Sequence, residues 1–240
     1  MRAVRWAVVC VAGILALAAC GQRDGLAGTY RSAEELPEEL GRDGTTVTVG
    51  DPHAPVTVHL YEDPRCPVCE EFEITGAGPG LREATLDGTT KTQYTLASFL
   101  DDRVGGNGSK KAVNALRAAL EEGKFAEYHE VLYANQPEEA VDGYTDAFLL
   151  GLASQVDGLR DPAFDAAVRT MKYRDFVTAS QKAYEKAGGP AEPEGPGTPT
   201  AVVNGTPIPA EYNGILMDGA AFTELLESVE RATLWEADRT

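Results

Sequence analysis

Thiols are scarce in this chain of 240 residues: it has four cysteines, at positions 10, 20, 66 and 69, too few and too unevenly placed for a disulfide-stapled scaffold. Positive charge is also short, with 21 basic residues against 38 acidic ones and a formal net charge of -17. Nucleic acid and anionic lipid headgroups are therefore excluded as natural partners. The three histidines, His53, His59 and His129, show no paired spacing. With no further free cysteine to complete a tetrahedral set, the sequence offers no metal site and calls for no cofactor. The longest apolar run is residues 6–19 (WAVVCVAGILALAA), shorter than the roughly 20 residues of a comfortable membrane span. The remaining composition, 43% apolar and 25% charged, is that of an ordinary globular protein able to bury a core.

The apolar run follows Arg2 and Arg5 and ends at Leu17-Ala18-Ala19-Cys20-Gly21, the pattern of an export signal. The Leu-Ala-Ala-Cys string resembles the bacterial lipobox, in which the chain is cut before the cysteine and a diacylglycerol is attached to its sulfur. The small residues Ala18 and Ala19 suit the peptidase. An uncleaved anchor, or a plain secretory signal with Cys20 incidental, stands as the alternative. The expectation is a signal peptide over 1–19, lipidation at Cys20 and residence on the outer face of the bacterial membrane, held by the lipid. Removing Arg2 and Arg5 from the 21 basic residues leaves 19 against 38 acidic ones, an acidity that keeps an exported surface solvated. Cys10 departs with the signal and Cys20 goes to lipid, so Cys66 and Cys69 are the thiols left to the mature chain.

Along the chain, residues 20–44 are polar and glycine-containing and read as a flexible tether with a short helical turn near Ala33 to Leu40. The fold is expected to begin at Thr45. TVTVG and VTVHLYED read as strands separated by DPHAP, and Cys66-Pro67-Val68-Cys69 opens a helix that Gly76, Gly78, Pro79 and Gly80 kink or break. TTKTQYTLASFLDD reads as a third strand. From about Asn107 to Gly188 the pattern turns helical, with Ser109 as a cap for SKKAVNALRAALEEG, and with Asp161 and Pro162 opening one long helix over DPAFDAAVRTMKYRDFVTASQKAYEKAGG. A Pro/Gly connector leads to two strands joined at Asn204-Gly205 and a last helix at about Asp218 to Leu234. The fold class is α/β, a thioredoxin-like mixed sheet flanked by helices with an inserted all-helical subdomain. Its sheet domain comprises residues 45–104 and 189–240, and the insertion residues 105–188.

Chemistry concentrates at Cys66 and Cys69. Two cysteines two residues apart on a first helical turn lie within disulfide range. The helix N-terminus lowers the pKa of the first, so Cys66 is the nucleophile and Cys69 the resolving thiol. Arg65 reads as a solvated turn residue, with thiolate stabilisation as the alternative, and Glu62 as a surface acid near the turn that could instead approach Cys69.

CPVCEEFE at 66–73, LASFLDD at 96–102 and GTPTAVVNG at 197–205 resemble the exported thioredoxin-fold thiol–disulfide oxidoreductases of the DsbA family, in the membrane-anchored branch of Gram-positive bacteria. The resemblance covers roughly residues 45 to 235. It implies that Thr198-Pro199 is a cis-proline loop facing the cysteines and pairing with substrate backbone, and that exported protein or peptide thiols are the substrates, with a membrane redox partner completing the cycle. Two positions depart from the family. Leu60 stands where a buried acid is usual, and Val68 stands where strongly oxidising members carry His, so the expected potential is less oxidising than theirs, although Pro67 and the helix end still favour the thiolate. The expected activity is disulfide formation. Reduction or isomerisation, as in cytochrome c maturation, and peptide binding by a lipoprotein with a structural disulfide are the alternatives.

Overall fold

Val56–Glu62 (β3) alternates strictly, with Val56, Val58, Leu60 and Glu62 buried and Thr57, His59 and Tyr61 half-buried, so its two faces meet different layers. It lies inside a six-stranded sheet of order β1-β2-β4-β3-β5-β6, where β1 is Glu38–Leu40, β2 Val47–Val49, β4 Thr90–Leu96, β5 Thr200–Val203 and β6 Thr206–Pro207. The β3–β4 pair is parallel, with Glu62 opposite Leu96, and the other pairs are antiparallel. The computed structural model describes residues 29–237 and 239. The signal segment and Cys20 lie outside them. Among the described residues no helix is long and apolar enough to cross a membrane.

The β3–β4 connection contains α1 (Pro67–Ile74) and α2 (Gly78–Leu86). The expected break is real and steric: a side chain at Gly76 would stand 2.7 Å from the Leu216 carbonyl, and one at Gly78 2.7 Å from the Glu73 Cα. After β4 come α3 (Leu100–Val104), α4 (Gly108–Glu121), α5 (Phe125–Ala134), α6 (Asp146–Ala153), α7 (Pro162–Thr170) and α8 (Arg174–Ala187); α9 (Gly219–Ala237) closes the chain. Asn204 and Gly205 turn β5 into β6 with φ of 45° and 78°, the left-handed pair that a tight hairpin needs. One continuous apolar core joins the strands to the helical block, from Val58 and Leu60 through Phe72 to Leu116, Tyr128 and Phe164.

Three expectations are corrected. The segment after Asp161, read as one helix, is two, because Met171 turns left-handed at φ 51° and α8 starts afresh at Arg174. Asp161 does cap α7, accepting from the Phe164 amide at 2.7 Å. Ser109 does not cap α4. Its side chain is buried, and the first-turn amides of Ser109 and Lys110 are instead bonded at 2.9 Å by the Asp101 carboxylate. Part of the stretch read as tether is structured: β1 pairs with β2, Leu36 and Leu40 pack on the core, and the Glu38 carboxylate accepts from the Phe125 and Ala126 amides at the start of α5. Leu36, Glu38 and Leu40 sit two apart, and the polar residues between them hide that alternation.

Candidate active site

The residues between β3 and α1 are fixed by buried polar groups. Asp63 accepts from the Arg65 amide at 3.0 Å, the Ser109 hydroxyl at 2.6 Å and the Leu100 amide at 3.0 Å. Burial pushes its pKa up to about 6 against the pull of those bonds. Arg65 is not solvated: the side chain is buried, donating to Asp101 Oδ1 at 2.9 Å and to the Gly105 and Glu139 carbonyls at 2.7 Å each. A guanidinium with fixed fork geometry can satisfy such a set where an ammonium could not. Arg65 therefore ties the turn before Cys66 to the helical block.

Cys66 is the N-cap of α1 and Pro67 follows at the first helical position, which suits a residue that has no amide hydrogen to satisfy. Both cysteines are free thiols. They differ in surroundings. Cys66 is 7% exposed and its Sγ donates to the Thr198 carbonyl at 3.3 Å, whereas Cys69 is fully buried. The Cys66 pKa falls to about 7, chiefly because the Cys69 thiol hydrogen-bonds to it, with the Thr198 side chain and the amides of Cys69 and Val68 adding to the effect against burial. Burial drives Cys69 well above the usual thiol value, and the bond to Cys66 and the charge of Glu62 push the same way. Val68 between them is 47% exposed.

The Thr198–Pro199 peptide is cis, and the contact between Cys66 and Thr198 brings this loop onto the cysteine pair across 132 residues of sequence. Tyr184 of α8 supports the loop from beneath. Its hydroxyl accepts from the Gly197 amide at 3.1 Å while its ring stacks on Phe99 at 5.3 Å. Sequence reasoning missed this role, because an α8 tyrosine carries no mark of the loop it will meet.

Behind Cys69 lies a second group of residues. Glu62 is fully buried, contrary to its reading as a surface acid, and its Oε2 is 3.0 Å from His129 Nε2. The strand alternation that buries Leu60 buries Glu62 as well. Glu73 of α1 shares the interior and accepts from Arg82 at 2.7 Å. Burial raises Glu62 and Glu73 to about 8 each, and it lowers His129. Burial disfavours charge on both Glu62 and His129, so their contact is a hydrogen bond rather than a full ion pair, although its distance alone would suit one. Ligand atoms of Glu62, Glu73 and His129 lie within 4.8 Å of one another, near enough for a metal ion. Arg82 already supplies the cation there, so the group reads as a proton-sharing cluster. Glu73 was legible in principle, standing four residues after Cys69 on one helical face.

The family model described as Thioredoxin matches residues 42–216, which spans the cysteine pair, the helical block and the cis-proline loop. The chain belongs to the thioredoxin family. Among solved structures its fold is that of MdbA, a thiol-disulfide oxidoreductase from Corynebacterium diphtheriae (TM-score 0.63, 21% identity, 82% of this chain and 95% of that one). BdbD from Bacillus subtilis shares it too (0.64, 21%, 87% and 99%), as does DsbA from Mycobacterium tuberculosis (0.56, 22%, 83% and 100%). The DsbA-like fold expected from the cysteine and proline segments is therefore present. A curated relative, the serine/threonine-protein kinase PknE of Mycobacterium tuberculosis, is 29% identical over 170 residues, 68% of this chain but only 29% of the kinase. This thioredoxin-family chain thus spans less than a third of that relative's length.

Proposed function

We propose that the protein is an extracytoplasmic thiol–disulfide oxidoreductase that forms disulfides in exported proteins, attached to the membrane by a lipid on Cys20. The observation that carries this reading is the contrast between the two thiols: Cys66 near the surface with its pKa lowered to about 7, Cys69 fully buried and raised. A lowered pKa makes Cys66 both a ready nucleophile at neutral pH and a good leaving group.

In the oxidising direction a substrate thiolate attacks Cys66 Sγ of the disulfide, a mixed disulfide forms and Cys69 leaves as a thiolate that takes up a proton. A second substrate thiolate then attacks the substrate sulfur and expels Cys66. The substrate gives up two electrons and two protons and the cysteine pair receives the electrons. A membrane redox partner of the quinone-linked class would reoxidise the pair. Thr198 and Pro199, beside Cys66, would hold the substrate backbone. Glu62, a buried acid whose charge acts on Cys69, would serve it in place of the usual one at position 60. Stabilising the Cys66 thiolate favours the reduced form and so favours oxidation of substrates. Val68, which can neither donate a hydrogen bond nor carry charge, limits that stabilisation.

Equilibration of residues 21–240 with glutathione measures the outcome. The expected reduction potential lies between about -270 mV, typical of thioredoxin, and about -120 mV, typical of the strongest periplasmic oxidase. A value at or below the lower figure would make the protein a reductase. In the host, Cys69→Ala should accumulate mixed disulfides with exported proteins through Cys66. Absence of any trapped species would favour a binding protein with a structural disulfide.

A further inference from the structure

The fully buried Cys69 must gain a proton when the disulfide opens and lose it when the disulfide re-forms, and substrate covers the face where Cys66 meets Thr198. Glu62 and Cys69 are both fully buried, the charge of Glu62 acts on Cys69, and Glu62 Oε2 bonds to His129 Nε2 at 3.0 Å. Two further atoms there are buried without a partner among the described residues, Glu62 Oε1 and the Tyr133 hydroxyl. Tyr133 stands one helical turn beyond His129, its ring centroid 4.8 Å from the imidazole, and its hydroxyl feels the charges of Glu62, Cys69 and Glu73. His129 also lines a cleft of about 310 Å³ bounded by Leu36, Val49, Arg82, Tyr94 and Glu130. That cleft shares no lining residue with the Cys66–Cys69 segment or the Thr198–Pro199 loop.

We propose that His129, contributed by the helical block, connects the buried Glu62 carboxyl to water in this rear cleft, so that the proton of Cys69 enters and leaves behind the sheet while substrate occupies the front. This rests on the oxidoreductase reading above. When Cys69 is expelled as a thiolate, Glu62 gives it a proton. Glu62 regains one from His129 Nε2, and the ring takes a replacement at Nδ1 from cleft water. The steps reverse when Cys69 is deprotonated to resolve a mixed disulfide. No oxidant or reductant beyond the thiol exchange itself is needed. An imidazole suits the task because its two nitrogens can accept on one side and donate on the other.

The groups facing His129 fit this role. Glu62 comes from β3, Glu73 from α1, Arg82 from α2, Tyr94 from β4 with its ring 4.7 Å away, and Phe125, Glu130 and Tyr133 from α5 itself. Glu38 of β1 is engaged at the N-terminus of α5. Arg82 is paired with Glu73. Burial disfavours charge on both Glu62 and Glu73, and Arg82 stands ready to balance a carboxylate that forms there, so the cluster can pass a proton without stranding a buried charge.

The test is the rate at which Cys69 resolves a Cys66–glutathione mixed disulfide, followed by stopped flow from pH 6 to 9 in the full mature chain. His129→Ala and His129→Gln should both slow the step on the order of 10²-fold. They should leave alkylation of Cys66 by iodoacetamide unchanged, and added imidazole should restore His129→Ala but not His129→Gln. The glutamine variant keeps a hydrogen bond to Glu62 and remains informative if the alanine variant does not fold. Wild-type resolution rates in both variants, or slowing that imidazole does not relieve in the folded alanine variant, would overturn the rear exit. Slowing by Glu62→Gln in that case would leave the oxidoreductase reading in place. No thiol exchange by the wild type would remove that reading and this proposal together.

Discussion

At the scale of the residue, the unusual position is Glu62, an acid inside the sheet with no cation bonded directly to it. Its pKa rises from the ordinary carboxyl range to about 8, because burial disfavours the charged form. The folded state therefore holds a proton that the unfolded chain releases above about pH 4.5. The stability this contributes is fully present below the unfolded value and is lost as pH rises through 8. Glu62→Gln keeps the shape and cannot ionise. The variant should match or fall slightly below the wild type at pH 5 and exceed it at pH 9, as read by urea denaturation at both values; a difference independent of pH would mean that Glu62 is ionised throughout. The sequence carried part of this residue's story. Alternation placed Glu62 on the same strand face as Leu60, but an acid four residues before a cysteine looks like a turn residue until the partners His129 and Glu73 arrive from other helices. Arg65 was misread for the same reason, since its three acceptors, Asp101, Gly105 and Glu139, lie 36 to 74 positions away. The placement of Cys66 and Cys69 at the start of α1 was legible because it depends on spacing within one helical turn.

At the scale of the element, α1 and α2 show how a break places function. Had the chain stayed helical from Pro67 to Leu86, Glu73 and Arg82 could not meet within one buried cluster; the turn at Thr75 to Ala77 folds α2 back so that Arg82 bonds both the side chain and the carbonyl of Glu73. Glycine permits this, because at position 78 a side chain would stand 2.7 Å from the Glu73 Cα and 2.8 Å from the Phe72 carbonyl. Gly78→Ala should destabilise the protein by about 1–3 kcal/mol and, by shifting Glu73, also alter the pH dependence of Cys69 resolution; denaturation midpoints and the resolution rates check the two effects separately. The break between α1 and α2 was visible in the run of glycines and proline. The break between α7 and α8 was not, because Met171 is an ordinary helix former whose left-handed conformation is imposed by tertiary packing.

At the scale of the whole molecule, the helical block is not an appendage. Its residues share one core with the sheet, and it supplies Tyr184 beneath the cis-proline loop, His129 behind the cysteine pair, and Gly105 and Glu139, which join Asp101 of α3 around Arg65. Composition announces an insertion of helices but not that the site is assembled against it, since such contacts join distant parts of the chain. The buried Arg65–Asp101 pair is the clearest tie: its two side chains are 1% and 0% exposed, and the same carboxylate caps α4. A buried pair of this kind adds little against an apolar replacement of both partners, yet removing one partner strands the other. Arg65→Ala should therefore cost about 3–5 kcal/mol, because Asp101 keeps its charge in the interior and two carbonyls lose their donor. Arg65→Ala combined with Asp101→Asn should recover part of that loss, since the stranded charge is gone while the amide oxygen can still accept from one of the two α4 amides. Urea denaturation of the two variants gives the comparison, and faster alkylation of Cys66 in both would show that the tie holds the reactive turn against the helical block. Equal losses in the single and double variants would mean that the carbonyl contacts, and not the ion pair, hold the turn.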